Sequence, residues 1–230
     1  MSVSGPGRVI DNGLVLYLDA SNNKSFVSGN TTWFDVSRNN NSGSLINGPT
    51  YSSANGGSIS FDGSNDYVST TPPLNAGQQK YTLSAWWITS VTNRIQVIFE
   101  QNSPTLIQHR RSALLILNNA WGFNGESNDA HDKVPVRVNQ WTNGVVTVDT
   151  TAGSNPIKIY ENGFLYWQGN TSNNASNLNV SNSLAGLGWK TINNTEFFIG
   201  SIGQTSIYNR LLSADEILSN YNLEKKRFGL

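Results

Sequence analysis

Apolar residues recur at every second position through much of the chain, the pattern of strands with one buried face. Tyr81, Leu83, Ala85 and Trp87 share one side of Tyr81 to Ile88, and Ile95, Val97 and Phe99 share one side of Ile95 to Glu100. These two stretches predict the central strands. Val9 to Leu18 has apolar residues at both parities, which predicts a strand covered on both faces. Ser58 to Phe61 and Tyr67-Val68, joined through Asp62-Gly63, predict a hairpin or one bulged strand. Further strands are expected at Ala113 to Leu117, Trp121 to Phe123, the alternating Val134, Val136 and Val138, Trp141 to Val148, Ile157 to Tyr160 and Leu184 to Trp189. Asp19 to Ser44, pinned by Trp33, and Gln168 to Ser183 are expected as long polar loops.

The period changes once. After a late strand and an Asn209-Arg210 turn, Ser213 precedes Ala214, Asp215 and Glu216, the spacing of a reciprocal capping box. Ile217, Leu218 and Tyr221 then fall on one helical face, so Phe197 to Tyr221 predicts a strand, a turn and a short closing helix. Asn-Gly occurs at positions 12, 47, 55, 124, 143 and 162, and this pair suits the tight turns of antiparallel topology. The expectation is an all-β antiparallel sandwich with one short C-terminal helix: an N-terminal arm (1–8), a single sandwich domain (9–222) and a basic tail (223–230).

Composition supports strands joined by polar turns: of 230 residues 37% are hydrophobic, 13% are charged and seven are Trp. Fifteen basic and fifteen acidic side chains give net charge zero, which argues against nucleic acid or an anionic membrane as a partner. With no cysteine there is no disulfide framework, thiol nucleophile or thiolate metal site. The opening MSVSGPGRVIDNG lacks the charged-then-apolar layout of a secretory signal, so export by a cleavable signal is not expected.

Candidate chemistry is sparse. Asn124, Glu126, Asn128, Asp129 and Asp132 form the densest run of hard oxygen donors and are the candidate calcium ligands, although the spacing is not that of an EF-hand. No other cofactor is expected. Trp33, Trp86, Trp87 and Trp141 sit in expected strands or fixed motifs and read as core. Trp121, Trp167 and Trp189 border Gly- and Asn-rich turns and are expected to be more exposed. Trp121, Trp189 and Asp129 are the candidates for a ligand, an aromatic ring stacking on a sugar while polar loops bond its hydroxyls. Glu100 and Asp149 read as solitary, solvated strand-end carboxylates, and His109-Arg110-Arg111 as a cationic surface turn. Asp62 and Asp66 read as turn-fixing groups. In the tail, Lys225, Lys226, Arg227 and Phe228 combine charge with an aromatic and are the candidates for docking onto a neighbouring subunit.

Several ordered motifs now stand together: Gly13 to Ala20, Thr32 to Ser37, Ser60 to Val68, Trp141 through Tyr160-Glu161-Asn162-Gly163, and Ile202-Gly203 to Ser213. Over roughly residues 9 to 222 they resemble laminin-G-like domains of the concanavalin A-like lectin/glucanase superfamily. The resemblance implies a jelly-roll sandwich of two antiparallel sheets. Glucanases of that superfamily carry alternating acidic residues, Glu-x-Asp-x-x-Glu, on one strand. That run is missing here, so the expectation is that the chain is not an enzyme. Ser201 stands where relatives commonly show an acidic residue, and the acidic ligands of pentraxin relatives are not recovered.

The variant with Tyr221-Asn222 and a basic stub is similar to single laminin-G-like domains in structural proteins of tailed bacteriophages. It implies a virion structural protein, a capsid decoration or tail-associated protein assembled in the host cytoplasm. Its partners would be capsid subunits, other virion proteins and copies of itself, with both chain ends held in the assembly. The alternative is a carbohydrate-binding adhesin of a phage fibre or bacterial surface, with host surface glycans as ligands.

Overall fold

In the computed structural model, residues 9–105 and 107–230 are described; the expected N-terminal arm lies outside the described residues. Among the described residues the chain forms sixteen strands and one α-helix. The first eight strands are β1 (Leu14–Asp19), β2 (Thr32–Trp33), β3 (Gly43–Ile46), β4 (Thr50–Ser52), β5 (Ser58–Asp62), β6 (Tyr67–Thr70), β7 (Lys80–Ile88) and β8 (Gln96–Asn102). There follow β9 (Ser112–Leu117), β10 (Ala120–Asn124), β11 (Ala130–Pro135), β12 (Thr142–Asp149), β13 (Ile157–Glu161), β14 (Phe164–Gly169), β15 (Leu184–Leu187), β16 (Ile199–Tyr208) and α1 (Ala214–Glu224). No helix among them is long and apolar enough to cross a membrane.

The strands make two antiparallel sheets. Sheet A runs β14-β13-β12-β7-β16-β5-β4, with β1 also on β16, and sheet B runs β11-β10-β9-β8-β15-β6-β3-β2. β1 lies beside Gln204–Tyr208 and β5 beside Ile199–Ile202, so they share one flank of β16 end to end while β7 takes the other. Between the sheets lies a core of alternating side chains, among them Leu16, Leu18, Trp33, Tyr81, Leu83, Trp87, Phe99, Leu114, Trp121, Phe123, Ile159 and Ile207. The expected central strands β7 and β8 sit inside sheets A and B respectively.

Sheet A is covered on its other face as well. Leu14, Val145, Tyr160, Tyr208, Leu212 and Ile217 form a second cluster, and Trp86, Trp141, Tyr221 and Phe228 a third. The apolar run of β1 is explained in this way: a register shift between Leu14 and Leu16 turns Leu14 to the outer cluster, while Leu16 and Leu18 enter the main core. α1 forms as its cap predicts. Ser213 Oγ accepts from the Glu216 N–H, and the Glu216 carboxylate accepts from the Ser213 N–H.

Local geometry departs from the expectation in three places. β5 and β6 do not form a hairpin; they belong to different sheets, and the turn between them crosses the sandwich. The two aspartates do fix that turn: Asp62 accepts from the N–H groups of Ser64 and Asn65, and Asp66 from that of Asp62. Burial together with the neighbouring Asp62 raises the Asp66 pKa. Asn143-Gly144 lies inside β12 and is not a turn; a Cβ at Gly144 would come within 2.9 Å of the Trp121 ring. By contrast Asn162-Gly163, with φ of 52° and 85°, joins β13 to β14 as expected. The alternating valines end early, because β11 stops at Pro135 and leaves Val138 exposed.

Candidate functional site

The most organised polar cluster of the chain lies on sheet B, on the face turned away from the core. Side chains alternate along a strand, so with Phe99 and Leu114 in the core, Glu100 and Arg111 fall on the opposite face. There Arg111 Nε donates to Glu100 at 2.6 Å, Nη1 to Asn124 at 3.1 Å and Nη2 to Glu196 at 3.0 Å. Glu100 also accepts from the Thr191 N–H and hydroxyl, at 3.0 and 2.7 Å, and from the Asn102 amide. Lys190 Nζ lies 3.1 Å from Glu196, and a bridge between Lys190 and Thr195 holds that loop over the sheet. Glu100 is wholly buried and the Arg111 side chain is 3% exposed. Burial works against the Arg111 charge, but Glu100, Glu196 and Glu126 outweigh it and its pKa is raised. Both oxygens of the fully buried Glu100 are met by donors, as a buried ion cluster requires.

This cluster overturns two expectations. Glu100 is not a solvated strand-end carboxylate, and Arg111 is not part of a surface turn. Sequence gave no sign of it, since the partners lie 11 and 85 residues from Arg111. Asp149 does sit at a strand end on the surface, paired with Lys80 at 3.3 Å.

The candidate calcium loop is taken up by the same arrangement. Asn124 Oδ1 receives Arg111 and the Glu126 N–H, and Glu126 lies 3.7 Å from Arg111. Asn128, fully buried, bonds His109 and Thr171. Asp129 accepts from the Gly125 N–H, and Asp132 pairs with Lys133 at 2.7 Å. Asn124 and Glu126 thus face Arg111, while Asn128, Asp129 and Asp132 each point to separate partners. Among the described residues no group of three or more His, Asp or Glu side chains converges as a metal site.

The tryptophan candidates are also placed differently from the expectation. Trp121 is fully buried, edge-on to Trp87 at 6.3 Å, with its indole N–H directed at Glu161. It cannot stack on a ligand from solvent. Trp189 is half-buried, stacked on Tyr67 with ring centres 4.0 Å apart, so one ring face is already occupied. Trp167 is partly buried against the core, with Lys133 Nζ 5.6 Å from its ring centre.

The tail folds back onto its own chain. Phe228 is 4% exposed, stacks on Trp86 at 4.3 Å and packs at a tilt against Trp141 at 4.6 Å. Arg227 donates to the carbonyls of Asn55, Gly57 and Gly203 and pairs with Asp19 at 2.7 Å and Glu224 at 3.3 Å. Burial, together with Asp19, raises the Glu224 pKa against the pull of Arg227. Lys225 lies over the Tyr221 ring at 5.5 Å, and Lys226 is exposed. Of the four candidate docking residues, Arg227 and Phe228 are therefore committed within the molecule. Their partners include Asp19 of β1, Trp86 of β7, Trp141 just before β12 and Gly203 of β16, positions that the tail sequence could not announce.

Clefts remain on the surface among the described residues. One of ≈ 500 Å³ beside the start of α1 is lined by Asp149, Asn155, Lys158, Tyr160, Gln168 and Ser213. A second of ≈ 630 Å³ is bounded by Tyr17, Asp19, Lys24, Asp35, Arg38 and Glu224. Their amide, hydroxyl and charged groups can hydrogen-bond a polar ligand, and neither cleft presents an open aromatic platform from the three tryptophans above.

Among curated proteins no sequence relative is found. Solved structures share the fold. A mutant of Trypanosoma rangeli sialidase displaying trans-sialidase activity matches with a TM-score of 0.64 at 15% identity, over 95% of this chain and 34% of that one. The sialidase in complex with sialic acid gives 0.65 at 16%, over 93% and 33%. The botulinum neurotoxin type G receptor binding domain gives 0.63 at 17%, over 92% and 51%. The chain thus spans a third to a half of the length of these structures. The expectation that the chain is not an enzyme is corrected by them: sialidases share this fold, so the missing acidic run does not set the chain apart from enzymes. At such identities the likeness shows a shared fold and no activity. A family model described as the concanavalin A-like lectin/glucanases superfamily matches residues 62–218, so the chain belongs to that superfamily.

Proposed function

We propose that the protein is a structural component of a tailed-bacteriophage virion, a capsid decoration or tail-associated protein that carries its lectin-like sandwich on the particle surface. One observation supports this best. Sheet B's outer face holds its charges in a closed cluster, whereas Phe164, Leu165 and Tyr166 stay 65%, 49% and 50% exposed on one flank. An exposed apolar flank suits contact with other proteins. The motifs shared with phage laminin-G-like domains support the same reading. Assembly in the host cytoplasm follows from it, with capsid subunits and further copies of the chain as partners. Mass spectrometry and electron microscopy of purified particles test it: the protein is expected at stoichiometric copy number on the exterior. Its absence from purified particles overturns the proposal.

A carbohydrate-binding adhesin, on a phage fibre or a bacterial surface, is the second reading. The polar cleft beside α1 favours it, as does the likeness in shape to a receptor binding domain. A glycan array run with and without calcium tests it. Reproducible binding that is lost in Lys158→Ala and Gln168→Ala would put this reading first.

A further inference from the structure

Every open sheet edge exposes unpaired backbone groups, and proteins usually guard such edges. Five edges occur among the described residues, and four are guarded, each in its own way. β1 is covered by a loop: the Val36 N–H donates to the Tyr17 carbonyl, Asp35 accepts from the Tyr17 N–H, and the amides of Asn39 and Asn41 cap Leu14 and Val15. β2 has two residues and β4 three, too short to template a partner. β11 carries His131, Asp132, Lys133 and Pro135. The fifth is β14, six residues reading FLYWQG, with no charge and no proline. One of its sides pairs with β13, and on the other no described residue bonds its backbone.

We infer that β14 pairs antiparallel with β14 of a second copy across a two-fold axis, continuing sheet A from one molecule into the next. An antiparallel edge is complementary to itself under a two-fold, so one strand supplies both halves of the contact. The flanking charges match under the same operation. Arg137 pairs with Glu161, the cross-strand neighbour of Phe164, and so marks one end of β14. Lys133 lies over Trp167, which places Asp132 and Lys133 towards the other end. A two-fold through the middle of β14 brings Arg137, 53% exposed, to the Asp132 end of the partner copy, where that carboxylate is 50% exposed. The bulge opposite Ile159 and Tyr160 inserts Tyr166 between Leu165 and Trp167, so that three consecutive side chains reach solvent.

The area sets the strength. Phe164, Leu165 and Tyr166 together offer about 300 Å² per copy, against about 800 Å² per partner in a standard stable interface. With the strand backbone and the flanking charges added, the contact is a weak dimer, with a Kd on the order of 10–100 µM. Such a contact acts when copies are already held side by side. It stands independently of the virion proposal, because it is read on the purified chain.

Sedimentation velocity from about 1 µM to about 1 mM tests it. The weight-average mass is expected to rise from that of the 25.1 kDa monomer towards twice that value. Phe164→Glu with Leu165→Lys is expected to weaken association at least tenfold while leaving the thermal midpoint unchanged, because both side chains are exposed in the monomer. Since the chain has no cysteine, cross-linking supplies a geometric check. Tyr166→Cys is expected to oxidise to a disulfide-linked dimer, whereas Val27→Cys, at a site 51% exposed elsewhere, stays monomeric. A wild-type chain that remains monomeric at 1 mM overturns the inference and leaves the edge to a different protein. So does a dimer indifferent to the double substitution, or one cross-linked equally well at both positions.

Discussion

The outer face of sheet B and the β14 edge of sheet A are both polar-apolar boundaries, and they are built in opposite ways. On sheet B three carboxylates and two cations are drawn under a loop until Glu100 has no exposure, and the surface above is finished by the chain itself. On β14 three apolar side chains are left in water beside an unpaired strand edge. The first region spends its interactions on the molecule's own stability. The second holds them for a neighbour. Substitutions should therefore separate cleanly, costing folding free energy on the face and association on the edge.

The largest effect is expected from Arg111→Met, which leaves the fully buried Glu100 without its cation and should lower the unfolding free energy by about 3–5 kcal/mol, measured by urea denaturation. Adding Glu100→Leu should recover part of that loss; if the single substitution is mild, the face is not sealed. Phe228→Ala tests whether the covered face of sheet A behaves like sheet B. Loss of the stack on Trp86 and the tilted contact with Trp141 should cost about 3 kcal/mol in the same assay. A smaller effect belongs to a surface charge. Hydrogen bonds from Arg210, first, and from Ser213 hold the Glu216 pKa at about 2, below its ordinary 4.5. Its stabilisation is complete above about pH 4.5 and is lost as pH falls towards 2, some 1–2 kcal/mol after solvent screening. Glu216→Gln should flatten that limb of the stability-pH curve. Smallest of all, Phe164→Ser should change monomer stability by less than about 0.5 kcal/mol. A large loss there would erase the contrast between the two regions.

The fold was readable from the sequence because its signals are local. The alternation in β7, the Asn162-Gly163 turn and the Ser213 cap are each written within a few residues. In β8 the expected alternation of Ile95, Val97 and Phe99 fails, because Ile95 lies outside the strand and exposed and a bulge between Val97 and Phe99 turns Ile98 and Phe99 to the core. The polar clusters were not readable, because their partners meet only across strands. Trp121 borders a glycine-rich turn yet is core, its indole N–H met by Glu161 forty residues on. Arg227 and Phe228 look like a free basic tail until Trp86, Trp141 and the Gly203 carbonyl are brought beneath them. Asp62-Gly63 looks like a hairpin turn because a turn between paired strands and a turn that crosses between sheets use the same residues. Phe164, Leu165 and Tyr166 stand side by side in the sequence, but only the topology shows that they lie on an edge.

The position of β16 governs how the chain can fold. It is the last strand in sequence, yet β1, β5 and β7 all pair with it, Leu14 lying opposite Tyr208. Until Ile199–Tyr208 is available, sheet A remains in separate pieces with open hydrogen-bonding edges, and closing it joins segments nearly two hundred residues apart. Such high contact order makes for slow folding, on the milliseconds-to-seconds side of the range, and exposes an association-prone intermediate during synthesis. A fragment ending before β16 would hold every strand of sheet B but leave sheet A in three pieces, β14-β13-β12-β7, β5-β4 and β1.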